Sequence, residues 1–241
     1  MLSSLATHAA QNHPLVALRA LRALAEDPDD LPRVFTVIES LPGRAPARTA
    51  SRTRATLEGA RLLADKPDLR ALLSDRDALL AMPEGSLGRA YAEMTAREGI
   101  SADGIVEANE RGQVAVAGSV DRDVTWMNDR MRDTHDLWHV VTGYGTDVLG
   151  ETGLLAFSYA QTRHPGVALI LGLAIVKRVP GVAAIIKDGF RRGRRAGWMP
   201  AARWEQLLPL PLADVRARLG VEPVPPYARL TSDDLRARFA S

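Results

Sequence analysis

The apolar residues of this chain recur almost throughout at three- and four-residue spacing, and proline or glycine closes one such stretch after another. That pattern restricts the fold to packed helices joined by short turns, because a 3.6-residue period gathers apolar side chains on one helix face and cannot line one face of a strand. LVALRALRALAED (15–27) is one helix, stopped at Pro28, and PRVFTVIESL (32–41) is a second, short one ending at Pro42-Gly43. ARTASRTRATLEGARLLADK (47–66) runs to Pro67, which can itself open the next helix, PDLRALLSDRDALLAM. In SLGRAYAEMTAREG, Ser86 is placed as the N-cap and Gly99 as the stop. Residues 100–121 carry several glycines and the alternating QVAVAGSV, so loops with a short extended piece are expected there. Helical spacing returns over 122–141, 146–163, 167–178 and 182–195, and the tail offers ARWEQLL, ADVRARLG and SDDLRARFA. No strand pairs and no repeat period stand out. The expected architecture is all-α: one multi-helix bundle over residues 1–241, with 1–14 the stretch that could stay disordered.

An apolar fraction of 46% over 241 residues is enough for a substantial core. The absence of cysteine excludes disulfides, thiolate zinc sites, iron–sulfur ligation and a cysteine nucleophile. Net charge is +2, and arginine alternates with aspartate and glutamate over most of the chain, which argues against a nucleic-acid surface. The start, MLSSLATHAAQNHPL, lacks the charged opening and apolar core of a secretion signal. The longest apolar run, GVALILGLAIV (166–176), is about half of the ~20 residues a membrane-spanning helix needs. A soluble or membrane-surface protein is expected.

The most informative stretch is RDTHDLWHVVTGYGTDVLGE (132–151). On a helix, His135 and His139 share one face, so their imidazoles can converge on one ion. Asp136 lies about 100° round the helix and can reach that ion from the side or orient a histidine. Gly143-Tyr144-Gly145 signals a turn, Thr146 or Asp147 can cap a second helix, and Glu151 then falls in its first turns, facing back. Two imidazoles with one or two carboxylates suit zinc, iron, manganese or cobalt. A histidine pair at this spacing is also common on surfaces and in satisfied cores, and spacing alone leaves both readings open. Trp138 and Tyr144 read as packing residues.

HDLWHVVTGYGTDVLGE has the form H-D-x-x-H, eleven residues, E, and resembles the signature of the Coq4 family of ubiquinone-biosynthesis proteins. LAEDPDD (24–30), RLLADKPDL (61–69), MPEGSLGRAYAEM (82–94), LLAFSYAQT (154–162) and LPLPLADVRARLG (208–220) resemble family segments in the same order. The match is poorest at the N-terminus, in 112–121 and after 221. The resemblance implies that His135, Asp136, His139 and Glu151 bind a divalent metal, zinc in the usual description, and carry the catalysis. It implies replacement of the ring carboxyl of a polyprenylated hydroxybenzoate by hydroxyl, an oxidative decarboxylation. Older descriptions imply a prenyl-lipid scaffold organising other quinone-biosynthesis proteins, with a structural metal. Either role implies a peripheral protein of the bacterial inner membrane, on its cytoplasmic face, or of the matrix side of the mitochondrial inner membrane.

Weaker candidates for substrate or lipid contact are Arg89, Arg132, Gly85 and Gly88. The two glycines bracket a helix start, which attracts anions, although tight packing explains them as well. Residues 166–199 place two apolar segments beside Lys177, Arg178, Arg191, Arg192, Arg194 and Arg195, the composition of an interfacial helix on anionic lipid. Gly166, Gly172 and Gly181 would also permit close contacts, including across a homodimer. A phosphohydrolase built on the adjacent His-Asp pair would need a further upstream histidine, and His8 and His13 lie far toward the N-terminus.

Overall fold

Residues 12–27, 29–112 and 121–239 are described by the computed structural model, and every regular element among them is helical. The first half holds α1 (Pro14–Glu26), α2 (Leu31–Ser40), α3 (Ala45–Arg54), α4 (Leu57–Asp65), α5 (Leu69–Ser74), α6 (Arg76–Leu80), α7 (Leu87–Glu98) and α8 (Ala102–Gly112). The second holds α9 (Arg122–Asp133), α10 (His135–Thr142), α11 (Val148–Thr162), α12 (Pro165–Val176), α13 (Val182–Arg195), α14 (Trp204–Leu207), α15 (Leu212–Leu219) and α16 (Ser232–Phe239). A single bridge between Ser86 and Pro211 is the nearest approach to a strand pair among the described residues.

Three segments expected as single helices are each broken in two. Thr56 turns extended and its hydroxyl accepts the Gly59 N–H at 3.0 Å, starting α4 afresh. Asp75 does the same for α6 by accepting from Ala78 N–H, and Thr134 separates α9 from α10. Polar side chains that can bond nearby backbone compete with helix continuation, and at Thr56 and Asp75 they win. Residues 102–112, expected as loop, form α8, opened by the Ser101 hydroxyl accepting from Gly104 N–H. Gly104 and Gly112 dilute its pattern, yet Ile105, Val106 and Ala108 are buried. The expected extended piece, QVAVAGSV (113–120), and residues 1–11 lie outside the described residues.

The main core is built from α7, α10, α11, α13 and the tail, with Leu87, Tyr91, Leu137, Phe157, Trp204 and Leu208 at most 2% exposed. α11 packs along α13 at backbone contact: a Cβ at Gly189 would run into the carbonyl oxygen of Gly153, and one at Gly193 into that of Phe157. That contact buries Gly153, Phe157 and Ala160 on one side of α11. No helix among the described residues is long and apolar enough to cross a membrane. Within 166–199 the inner faces of α12 and α13 are buried, while Ile175 and Val176 are 52% and 78% exposed beside exposed Lys177 and Arg178.

Candidate metal centre

α10 is two turns long, and both of its ends are fixed by local chemistry. It starts where Thr134 bends the chain out of α9. It ends at Gly143, whose left-handed backbone (φ 81°) lets its N–H return to the carbonyl of His139 at 2.8 Å. After Gly145 the Asp147 carboxylate accepts from the N–H groups of Leu149 and Gly150 at 3.2 and 3.3 Å and caps α11. Glu151 therefore sits in the first turn of α11, as the spacing anticipated. α10 itself packs chiefly on α7 rather than along α11, so the two helices of the hairpin meet at their bend.

The side chains converge. His135 Nε2 and His139 Nε2 are 3.2 Å apart, and the Glu151 carboxylate reaches them at 3.5 and 3.1 Å. The donor atoms of His135, Asp136 and His139 lie within 4.8 Å of one another. His139 is buried, whereas the side chains of His135 and Glu151 are 30% and 39% exposed.

His139 Nδ1 stands 3.0 Å from the carbonyl oxygen of Tyr144. A carbonyl can only accept, so Nδ1 carries the hydrogen, and Nε2 of the neutral ring presents a lone pair to the Glu151 carboxylate. Two electron-rich groups at that distance require a cation between them, either a proton or a metal ion. Burial opposes charge on His139, but the Glu151 carboxylate and the Tyr144 carbonyl outweigh it and lift the ring to about 9. Burial likewise opposes charge on Glu151, and the two histidines overcome it, holding the carboxyl well below its ordinary range. Asp136 is 7% exposed, and burial pushes its carboxyl up against the pull of both histidines.

The arrangement fits a metal ion. Tetrahedral donors about 2.0–2.1 Å from zinc lie roughly 3.3 Å from one another, and the three observed separations are 3.1, 3.2 and 3.5 Å. Nitrogen and oxygen donors without sulfur suit zinc, iron, manganese or cobalt.

His135, Asp136 and Glu151 lie on the wall of a cavity of about 1710 Å³, with His139 behind them. Much of the remaining wall is apolar, including Leu24, Val34, Phe35, Ile38, Leu155 and Ile170. Arg132 also lines the cavity, its guanidinium held by Asp129, Asp133 and Asn109. Arg89 is placed elsewhere: it pairs with Glu93 at 3.0 Å on the exposed side of α7 and does not line the cavity. Gly85 and Gly88 do not line it either, and the start of α7 has no spare donors for an anion. Leu87 and Gly88 N–H bond the carbonyls of Leu210 and Leu208, and Arg89 N–H bonds the Ser86 hydroxyl. Gly88 serves close packing, since a Cβ there would meet Met82. His13 begins α1 and is likewise absent from the cavity wall; His8 lies outside the described residues.

Several residues that hold the centre gave no signal in the sequence. The Tyr227 hydroxyl donates to the Asp147 carboxylate and accepts from Gly145 N–H, each at 2.9 Å, tying the tail to the bend before Glu151. Arg216 donates to the carbonyls of Val140 and Val141, and Arg192 to that of Thr142, so two cations close the C-terminal end of α10. The Tyr144 hydroxyl donates to Asp188, and its ring lies 4.7 Å under Arg192. Each contact joins residues dozens of positions apart, where no short motif can reveal them.

Comparison with known proteins gives a consistent result. The family model described as "Coenzyme Q (ubiquinone) biosynthesis protein Coq4" matches residues 3–225. The mitochondrial ubiquinone biosynthesis protein coq4 of Talaromyces stipitatus is 32% identical over 171 residues, 69% of this chain and 57% of the relative. That of Yarrowia lipolytica is 30% identical over 180 residues, 73% of this chain and 66% of the relative. The chain thus spans between 57% and 66% of the length of these relatives. The crystal structure of a candidate ubiquinone biosynthesis protein from Nostoc punctiforme superimposes with a TM-score of 0.65 at 25% identity, covering 88% of this chain and all of that one.

Proposed function

The chain belongs to the Coq4 family of coenzyme Q (ubiquinone) biosynthesis proteins, and from that premise we propose that it is a metal-dependent enzyme acting on a prenylated hydroxybenzoate. The reaction replaces the ring carboxyl by hydroxyl, releasing carbon dioxide. It is a two-electron oxidation of the substrate; with dioxygen as the two-electron acceptor it balances as ring carboxyl, water and dioxygen giving ring hydroxyl, carbon dioxide and hydrogen peroxide. The observation that carries this reading is the convergence of His135, His139 and Glu151, with Asp136 beside them, on the wall of a large apolar cavity.

His135, His139, Glu151 and Asp136 would hold the ion, zinc by resemblance. Such an ion supplies Lewis acidity toward a carboxylate or phenolic oxygen. The protein does the rest. Tyr144 fixes the His139 ring through its carbonyl, and Glu151 supplies the negative charge that retains a cation. Asp136 would add a second carboxylate to the donor set. Arg132 stands on the same wall, its charge already met by Asp129 and Asp133. The apolar walls suit a prenyl tail and keep water from the reacting ring.

The tail also supports peripheral membrane contact through 166–199. Exposed Ile175 and Val176 beside Lys177 and Arg178 are the surface best suited to it. The site would then work at the inner membrane, beside other quinone-biosynthesis proteins. A second reading, a prenyl-lipid-binding scaffold with a structural metal, draws on the size of the cavity.

The test is expression in a quinone-deficient strain with mass-spectrometric profiling of prenylated ring intermediates. Wild type should clear the carboxyl-bearing precursor, and His135→Ala and Glu151→Ala should let it accumulate. Clearance by both variants would overturn the enzymatic reading. A His139→Ala protein that folds but fails favours the enzyme; one that loses stability in step with function favours the scaffold.

A further inference from the structure

A second pocket, of about 420 Å³, lies where α3 meets the ends of α11 and α13, lined by Arg48, Arg52, Arg163, Arg194, Gln161 and Trp198 among others. Four arginines line it and no acidic residue does. Elsewhere many arginines have acidic partners, as Arg54 has Asp123, Arg130 has Glu205 and Arg203 has Asp65. The pocket arginines are positioned by other means. Arg48 donates to the carbonyls of Thr162 and Arg163 at the end of α11. Arg52 stacks 3.9 Å from the Trp198 ring, and that indole is itself fixed by donating to the Thr53 hydroxyl at 3.0 Å. Arg163 lies 4.8 Å over the Phe190 ring.

Stacking on a ring engages the face of a guanidinium and leaves its in-plane N–H fork free, the edge that grips phosphate oxygens. The floor is rigid: buried Gln161 donates to the Gly193 carbonyl and accepts from Met199 N–H. The positive potential is felt nearby, where burial and then the charge of Arg48 depress buried His164 to about 4. Like charges gathered on preset supports repel one another unless an anion joins them.

We propose that this pocket is a binding site for a phosphate-class oxyanion, held chiefly by Arg52, Arg163 and Arg194. Its chemistry does not depend on the metal centre. A phospholipid headgroup and a soluble phosphate ester present the same oxygens, so the test separates the two sources.

The full-length protein is titrated with inorganic pyrophosphate by calorimetry, and in parallel with phosphatidylcholine vesicles prepared with and without phosphatidylglycerol. Each titration is repeated on Arg52→Gln/Arg194→Gln and on a charge-matched control, Arg76→Gln/Arg218→Gln, altered outside the pocket. Saturable binding that weakens about tenfold or more in the pocket pair, and less than about twofold in the control, is expected. Response to pyrophosphate identifies a soluble anion, and response only to the phosphatidylglycerol vesicles identifies a headgroup. Absence of binding in both arms, or equal weakening in both double variants, overturns the assignment. If the pocket pair melts early by circular dichroism, Arg194→Gln alone is read against Arg218→Gln by the same criteria.

Discussion

The carbonyl oxygen of Tyr144 lies 3.0 Å from Nδ1 of His139, five residues earlier across the glycine bend, and so dictates which ring nitrogen is left to face Glu151. A backbone atom thereby selects the nitrogen that faces Glu151, and no substitution of the Tyr144 side chain alone can remove it. With Nε2 so turned, the facing Glu151 carboxylate and then the Tyr144 carbonyl raise His139, while His139 and His135 depress Glu151.

Glu151→Gln keeps the shape of the side chain and removes its charge. Removing an outer-sphere partner of a metal ligand costs about 10–100-fold in affinity, and a direct donor should cost at least as much. Competition with a chelator on zinc- or cobalt-loaded protein measures this. In the metal-free variant the His139 ring should titrate below its wild-type position, readable by proton NMR.

Metal uptake should depend on pH. In the metal-free protein the cation between His139 and Glu151 is a proton, and an entering metal displaces it. Because His139 titrates at about 9, apparent metal affinity should rise about tenfold per pH unit from neutrality toward that point and level off above it. Calorimetry in buffers of differing ionisation heat should detect about one proton released near neutral pH.

Stability of the metal-free protein should run the opposite way. His139 is raised from its unfolded value of 6.5 to about 9, so its contribution is complete below 6.5 and lost as pH climbs through that interval. The size is on the order of 3 kcal/mol for a shift of this extent. Glu151, being depressed, contributes above the ordinary carboxylate range and loses its contribution only in acid. The melting temperature of chelator-treated protein should therefore fall between pH 6.5 and 9, and metal should abolish the fall.

Tyr227→Phe removes the hydroxyl that bridges Gly145 N–H and Asp147. A loss of about 1–2 kcal/mol is expected, since a half-buried N–H is left without its acceptor and the donor to a carboxylate is gone. Metal affinity should fall with it, because Asp147 caps the turn that presents Glu151. Denaturant melts and chelator competition on the same samples check both parts.

Two glycine substitutions should differ in sign. Gly189→Ala drives a methyl into the Gly153 carbonyl and prises α13 from α11, so a loss of about 1–3 kcal/mol is expected. Gly172→Ala, within α12, meets nothing within 4 Å and should stabilise by about 0.5–1 kcal/mol. Thermal melts of the two variants decide it.

The candidate metal site could be read from the sequence because its residues are local. His135, Asp136, His139 and Glu151 fall within one hairpin whose bend is announced by Gly143 and Gly145 and whose second helix is announced by Asp147. The helical class was legible for the same reason, as were the Ser86 cap and the Gly99 stop. What escaped depended on competition or on distance. Thr56 and Asp75 interrupt helices through side-chain bonds that periodicity does not register. Tyr227, Arg192 and Arg216 reach the hairpin only once the chain has folded. The surface pairing of Arg89 was the exception, since Glu93 stands four residues on, the spacing at which helical charges meet.

The most direct measurement is an anomalous difference map from crystals of the protein as purified, collected at the absorption edge of the ion that elemental analysis identifies. The account predicts one dominant peak bounded by His135 Nε2, His139 Nε2 and the Glu151 carboxylate, with an oxygen of Asp136 in reach. A map without density there, showing His139 and Glu151 joined only by a shared proton, would contradict it.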